Sequence, residues 1–123
     1  MSIRILVADD NASVRSAVSE VIRSSGHEWE VCYEASNGQA AIEKAVELRP
    51  DLLIIDLLMP FDGISAGREI RKLLPRTPMV LHSIWASPEL EREATKAGFQ
   101  VVAQKTNSAA LISAIHEALL ARI

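Results

Sequence analysis

Residues 52–60 of this 123-residue chain read LLIIDLLMP and are its most informative stretch for the fold. The first four are uniformly apolar, which is typical of a strand buried on both faces of a parallel sheet. The run ends at Asp56, and a loop through Gly63 leads into a segment with apolar residues at helical spacing. This stretch therefore predicts a buried strand, a loop and a helix, with a carboxylate at the end of the strand.

The same alternation of strand and helix recurs on both sides of this stretch. We predict strands at residues 3–8, 29–35, 52–55, 79–81 (reaching 82–83) and 101–103, each followed by a helical apolar pattern. Ser87 and Pro88 indicate a helix start, because a hydroxyl caps the helix and proline follows where no N–H is needed. Five such units predict an α/β domain with a doubly wound five-stranded parallel sheet, right-handed crossovers and helices on both faces.

Composition and charge exclude several classes of protein. Apolar residues make up 49% of the chain, which excludes intrinsic disorder, and the single cysteine excludes a disulfide framework. Thirteen basic against sixteen acidic residues give a net charge of −3, without the basic footprint of direct nucleic-acid binding. The sequence has neither a transmembrane-length apolar run nor a signal-peptide pattern. We expect a cytoplasmic domain filling residues 1–123, with no effector domain in this chain and no membrane partner.

Polar residues interrupt the apolar pattern at the carboxyl ends of four predicted strands. Asp9 and Asp10 follow the first strand, Asp56 the third, Ser83 the fourth and Lys105 the fifth. In open α/β sheets the ligand site lies outside these strand ends, where the strand order reverses. If the order is 2-1-3-4-5, the first and third strands are neighbours and the three carboxylates face one another.

Three carboxylates placed so close together repel, which raises at least one pKa or requires a cation. An oxygen-only ligand set favours a hard ion such as Mg²⁺. Lys105 would add a positive charge and Ser83 a hydroxyl donor. These groups together predict a site for a phosphoryl group beside a metal ion.

At these residues the sequence resembles the receiver domain of two-component response regulators. The resemblance covers essentially the whole chain and implies a flavodoxin-like fold with strand order 2-1-3-4-5. Residues 11–15 and 36–39 resemble the subgroup with helix-turn-helix outputs most closely. The matching features are Asp9-Asp10, Asp56 followed by Leu57-Leu58-Met59-Pro60, Gly63, Ser83 and Lys105.

The resemblance implies a role for each of the matching site residues. Asp56 corresponds to the phosphoacceptor, Ser83 to the switch hydroxyl and Lys105 to the cation that pairs with the phosphoryl group. The implied phosphoryl donor is a sensor histidine kinase or a phosphotransfer protein that carries a phosphohistidine. The domain would catalyse only its own phosphoryl transfer and dephosphorylation, and switch its surface to control an output domain or partner.

The resemblance also implies a magnesium site. Its ligands would be Asp9, Asp10 and Asp56, directly or through water, with the backbone carbonyl of Leu58. Dimerisation is common in the family, and nothing in the sequence decides whether this chain forms a homodimer. The kinase, the signal and the output are likewise open.

Several residues depart from the common family pattern. The loop after Asp56 is one residue shorter between Pro60 and Gly63, and Val102 stands where the family favours an aromatic residue. Ile84 replaces a small residue after Ser83, so we expect it to hinder access to the acceptor.

Other residues near the site are expected to have smaller or undecided roles. Leu58 and Trp85 are apolar residues beside the site and are expected to lengthen the phosphorylated lifetime. Trp85 suits either a pocket rim or a partner surface, with equal weight. The three histidines show no ligand spacing, and we interpret them as structural or exposed, with the side chain of His82 on the face opposite Ser83.

Two alternatives to this function differ in how well the sequence supports them. The departures leave open a degenerate receiver that acts as a phosphorylation-independent binding module. A flavin carrier or an aspartyl phosphatase on the same topology fits poorly. The chain lacks a phosphate loop rich in Ser, Thr or Gly after the first strand, and an Asp-x-Asp motif.

Overall fold

The computed structural model describes residues 2–121. Ten elements alternate strictly between strand and helix. The predicted domain bounds 1–123 thus include residues 1, 122 and 123, which lie outside the described part. The elements are β1 (Ile3–Ala8), α1 (Ala12–Ser24), β2 (Trp29–Ala35), α2 (Gly38–Leu48), β3 (Leu52–Asp56), α3 (Gly63–Leu73), β4 (Met79–Ser83), α4 (Pro88–Ala97), β5 (Val101–Gln104) and α5 (Ser108–Ala121).

The five strands form one parallel sheet in the order β2-β1-β3-β4-β5, which confirms the predicted topology. All residues of β3 and β4 are buried, whereas the edge strands β2 and β5 are partly exposed. The neighbouring strands β1 and β3 are in register, with Ala8 opposite Ile55. The loop after β1 therefore lies beside the end of β3.

Two apolar clusters cover the two faces of the sheet, as strand alternation requires. One contains Leu6, Leu53 and Leu81 and packs against α2, α3 and α4. The other contains Val80 and Ile115 and packs against α1 and α5. This arrangement confirms helices on both faces, and among the described residues no helix is long and apolar enough to cross a membrane.

The helix starts follow the local signals in the sequence. Ser87 caps α4, since its hydroxyl accepts a hydrogen bond from the Leu90 N–H, and Pro88 occupies the first turn. The side chains of Asn11 and Asn37 cap α1 and α2 in the same way. These caps begin the helices immediately beyond the strand ends, so the candidate site lies in short connections between regular elements.

Two strands extend beyond their predicted ends. Strand β3 includes Asp56 itself, and β5 continues to Gln104. Asp56 is paired in the sheet opposite His82 of β4. The carboxylate is therefore held by a central strand rather than by a loop, which limits its movement.

Candidate functional site

Three carboxylates meet at the carboxyl edge of the sheet, in the crevice between β1 and β3. Asp9, Asp10 and Asp56 each place one oxygen within 4.8 Å of the others. Asp9 and Asp56 are buried, with 2% and 5% of their surface exposed, whereas Asp10 is exposed. The structure thus brings together the three acidic residues predicted from sequence, in two different environments.

Lys105 joins the two buried carboxylates. Its Nζ lies 3.0 Å from Oδ2 of Asp9 and 2.8 Å from Oδ1 of Asp56. Burial lowers the pKa of Lys105, but the hydrogen bonds to Asp56 and Asp9 outweigh that effect and leave the pKa raised. The side chain therefore remains a full positive charge at neutral pH.

Asp56 has a pKa raised above the ordinary value of an aspartate. Burial is the main cause, the negative charges of Asp9 and Asp10 add to it, and the hydrogen bond from Lys105 opposes it. A carboxylate whose basicity is raised by burial is a better nucleophile than a solvated one, provided that it is ionised. The environment of Asp56 therefore suits attack on an electrophile.

Asp9 is held in place by three donors. Its Oδ1 accepts a hydrogen bond from the Asn11 N–H at 2.9 Å, its Oδ2 binds Lys105, and its carbonyl accepts one from Nη1 of Arg15 at 2.8 Å. Arg15 also pairs with Glu34 of β2 at 3.5 Å. Arg15 was not among the predicted site residues; its position in the first turn of α1 was the available signal, because helical side chains point back toward the helix start.

Asp10 and Asp56 each have carboxylate oxygens that accept no hydrogen bond from the described residues. Within residues 2–121, neither Oδ2 of Asp56 nor the carboxylate of Asp10 accepts a hydrogen bond. The carbonyl of Leu58 likewise accepts none from the described residues. The free oxygens of the cluster therefore belong to Asp10 and Asp56.

Ser83 is buried at the end of β4, with 1% of its surface exposed. Its carbonyl accepts a hydrogen bond from the Lys105 N–H at 2.7 Å, and its Oγ accepts one from the Trp85 N–H at 2.9 Å. No hydrogen bond joins Ser83 to Asp56 in the described part of the chain. Ile84 and Trp85, which follow Ser83, are 56% and 57% exposed.

The shortened loop after Asp56 is accommodated by one left-handed residue. Phe61 has a φ of 55°, which is uncommon for a side chain of this size. The Gly63 N–H donates to the Leu57 carbonyl at 3.0 Å, and a Cβ on Gly63 would lie 2.1 Å from the carbonyl oxygen of Asp56. The loop thus turns tightly against the residue that carries the candidate nucleophile.

His82 lies beside Ser83 in sequence but on the opposite face of the sheet, as expected. It is buried between α1 and α5, where it lines a pocket together with Lys105. Burial lowers the pKa of His82 to about 4; the charge of Lys105 adds to this effect and that of Asp9 opposes it. The ring is therefore neutral at physiological pH.

The chain is similar to known proteins in sequence and in fold. The pattern of the response regulator receiver domain matches residues 5–116. The chemotaxis protein CheY of Thermotoga maritima is 38% identical over 99 residues, covering 80% of this chain and 81% of that protein. The response regulator domain of Thermotoga maritima CheB superposes with a TM-score of 0.90 at 29% identity, covering 100% of both chains.

A longer relative covers more of this chain. The response regulator VraR of Staphylococcus epidermidis is 37% identical over 114 residues, which are 92% of this chain and 54% of that protein. The chain therefore spans about half the length of this relative. The similarity concerns the domain that carries the acidic cluster.

Proposed function

Because the chain belongs to the receiver domain family of two-component response regulators, we propose that it accepts a phosphoryl group on Asp56. Receiver domains act in phosphorylation-based signalling. The proposed donor is the phosphohistidine of a sensor histidine kinase or a phosphotransfer protein in the cytoplasm. The receiver unit is proposed to fill residues 1–123 and to control an output domain or a partner; homodimer formation stays open.

The main support for this proposal is that the two carboxylate oxygens of Asp56 have different hydrogen-bonding environments. Oδ1 is bound by Lys105 at 2.8 Å, which fixes the orientation of the carboxylate. Oδ2 accepts no hydrogen bond from residues 2–121 and is free to attack. A merely structural ion pair would not require this free, buried oxygen beside two other carboxylates.

In the proposed transfer, Oδ2 of Asp56 forms a bond to phosphorus. The P–N bond of the phosphohistidine breaks, and its electron pair returns to the imidazole nitrogen of the donor. Lys105 supplies positive charge to the phosphoryl oxygens as they approach Asp56. The Ser83 hydroxyl, whose oxygen accepts from the Trp85 N–H, retains its proton for donation to a phosphoryl oxygen.

The donor set fits Mg²⁺. When all three carboxylates are ionised, they and Lys105 carry two net negative charges, which one divalent cation neutralises. Asp10 and the Leu58 carbonyl would hold the ion directly, and Asp9 and Asp56 through water, which leaves Oδ2 of Asp56 for the phosphorus. The bound ion would supply further positive charge to the transferring phosphoryl oxygens.

The proposal is tested by incubating the protein with Mg²⁺ and acetyl phosphate and measuring its intact mass. We expect one Mg²⁺-dependent phosphoryl adduct that is abolished in Asp56→Asn, because an amide oxygen is a poor nucleophile. Asp62→Asn is the matched control and should keep the adduct, since Asp62 only caps α3 and asparagine also caps helices. An adduct that persists in Asp56→Asn would contradict the proposal. Absence of any adduct, also with the cognate kinase, would favour the binding module.

A further inference from the structure

Two histidines meet at the amino edge of the sheet, opposite the acidic cluster. His27 lies in the connection between α1 and β2, and His116 lies on α5. Their Nε2 atoms are 3.1 Å apart, although the residues are separated by 89 positions in sequence. Both residues are exposed, so solvent and ions reach the pair.

Trp29, the first residue of β2, fixes the orientation of this pair. Its ring stacks on His27 with centroids 4.3 Å apart and an interplanar angle of 25°. It also lies 5.0 Å from the ring of His116, and the two imidazole planes meet at 81°. The two rings are therefore held by a strand start and a helix, which reduces the ordering cost of binding a ligand between them.

We propose that His27 and His116 form a binding site for a transition-metal ion that prefers imidazole, such as Zn²⁺. Two Zn–N bonds of about 2.0–2.1 Å at an angle of about 109° place the nitrogens roughly 3.3–3.4 Å apart. The observed separation of 3.1 Å needs to open by only a few tenths of an ångström. Water completes the coordination shell around the two protein ligands.

Without metal, the same separation suits one hydrogen bond between two neutral rings. One Nε2 then carries the proton and the other accepts it. Binding of the ion requires both Nε2 lone pairs, so the proton of the donating ring moves through solvent to its own Nδ1. No net proton is lost in this exchange of tautomers, and the rings change their partner rather than their charge.

The chain would thus bind two chemical classes of cation at opposite edges of its sheet. The carboxylate cluster offers only oxygen, which suits Mg²⁺, whereas the histidine pair offers nitrogen, which suits Zn²⁺, Ni²⁺ and Cu²⁺. A metal bound by both histidines would link the loop between α1 and β2 to helix α5. The site does not involve Asp56, so the proposed metal binding can be tested separately from the proposed phosphorylation.

The test is a titration of the protein with ZnCl₂ in excess Mg²⁺, followed by NMR of the histidine side chains. The chain contains three histidines, and His82 serves as an internal reference because it is buried beside the acidic cluster. We expect Zn²⁺ to shift the resonances of His27 and His116 and to leave those of His82 unchanged. Shifts confined to His82 would place the ion in the acidic cluster, and no shift would leave only a hydrogen-bonded pair; either result overturns the proposal.

Calorimetry on single variants provides the second readout. His27→Gln and His116→Gln should each weaken Zn²⁺ binding at least about tenfold, because each variant removes one of the two protein ligands. Both residues are exposed, so the variants should remain folded, which circular dichroism would verify. Glu43→Gln on α2 should bind Zn²⁺ as the unchanged protein does. Equal affinity in either histidine variant would overturn the proposal.

Discussion

Asp9, Asp10 and Asp56 have the same side chain, but their surroundings give them different roles. Both carboxylate oxygens of Asp9 are occupied by donors from the chain, so this residue orients Lys105. Asp10 is exposed and uncommitted, which suits a metal ligand. Asp56 is buried with one free oxygen and a raised pKa, which suits a nucleophile.

The lowered pKa of buried His82 predicts that the stability of the protein depends on pH. Its pKa falls from 6.5 to about 4 on folding, so below about pH 6.5 the unfolded chain binds a proton that the folded chain does not. This contribution to stability is complete above pH 6.5 and is lost as the pH falls toward 4, by up to about 3 kcal/mol. Urea unfolding of the unchanged protein and of His82→Gln between pH 7 and 4.5 measures it.

We expect a shallower pH slope in His82→Gln. Comparing the two proteins removes the contribution of Asp56, because its raised pKa acts in both of them. Identical slopes would show that His82 does not titrate differently in the folded state.

Ile84 predicts restricted access to the acceptor. It follows Ser83 directly and projects from the end of β4, with 56% of its surface exposed. Ile84→Ala should accept phosphate from acetyl phosphate several-fold faster, because a smaller side chain after Ser83 would hinder the donor less. Rates of adduct formation by mass spectrometry check this, with Val46→Ala on α2 as an exposed apolar control. Equal rates in the two variants would reject the idea.

At the scale of elements, the β3–α3 loop connects the acceptor to two helices. Gly63 starts α3 against the carbonyl of Asp56, and the Pro60 carbonyl accepts a hydrogen bond from the Gly38 N–H at the start of α2. The left-handed Phe61 lies between these two contacts. The backbone of this loop therefore packs directly on the elements on both sides of it.

Gly63→Ala should destabilise the protein and slow its phosphorylation. In an ordinary helix, alanine is favoured over glycine by about 1 kcal/mol. Here the added Cβ would lie 2.1 Å from the Asp56 carbonyl oxygen, so the backbone must shift, and overpacking costs about 1–3 kcal/mol. Denaturant unfolding measures the loss of stability, and acetyl phosphate kinetics measure the effect on Asp56.

Gly67→Ala is the matched control for this substitution. Its added Cβ would meet the ring of Phe99 at 2.3 Å, within the core and away from Asp56. We expect a comparable loss of stability with little change in the phosphorylation rate. A stability gain in Gly63→Ala would contradict the packing argument, and an equal loss of rate in both variants would contradict the specific link to Asp56.

At the scale of the whole molecule, the sheet order concentrates negative charge in one crevice. The chain has a net charge of −3, and three of its carboxylates lie within 4.8 Å of one another. Strands β1 and β3 are far apart in sequence, and their pairing brings the three groups together. Folding therefore creates a repulsion that Lys105 relieves only in part.

Mg²⁺ should accordingly raise the melting temperature. An ion that binds only the folded state stabilises it by about 2.7 kcal/mol at one hundred times its Kd, which corresponds to several degrees. Scanning calorimetry at constant ionic strength checks this, and Asp10→Asn should remove most of the increase, whereas Asp62→Asn should retain it. An equal increase in Asp10→Asn would show that the ion does not use the cluster.

Local sequence patterns were enough to predict the order of the elements and the acidic, hydroxyl and ammonium residues at the strand ends. These features depend on local periodicity and capping, as with the buried run 52–55 and the Ser87 cap, so neighbouring residues suffice to predict them. The prediction of the sheet order 2-1-3-4-5 required the family resemblance in addition to this periodicity. The structure confirmed the order.

Which oxygens are bound and which are free depends instead on contacts between residues that are distant in sequence. Lys105 meets Asp9 and Asp56 across 96 and 49 residues, and Arg15 reaches the carbonyl of Asp9. The burial of His82 likewise arises because α1 and α5 pack beside it on one face of the sheet. Such contacts depend on distances through space and on the balance of burial against charge, neither of which a local pattern of residues contains.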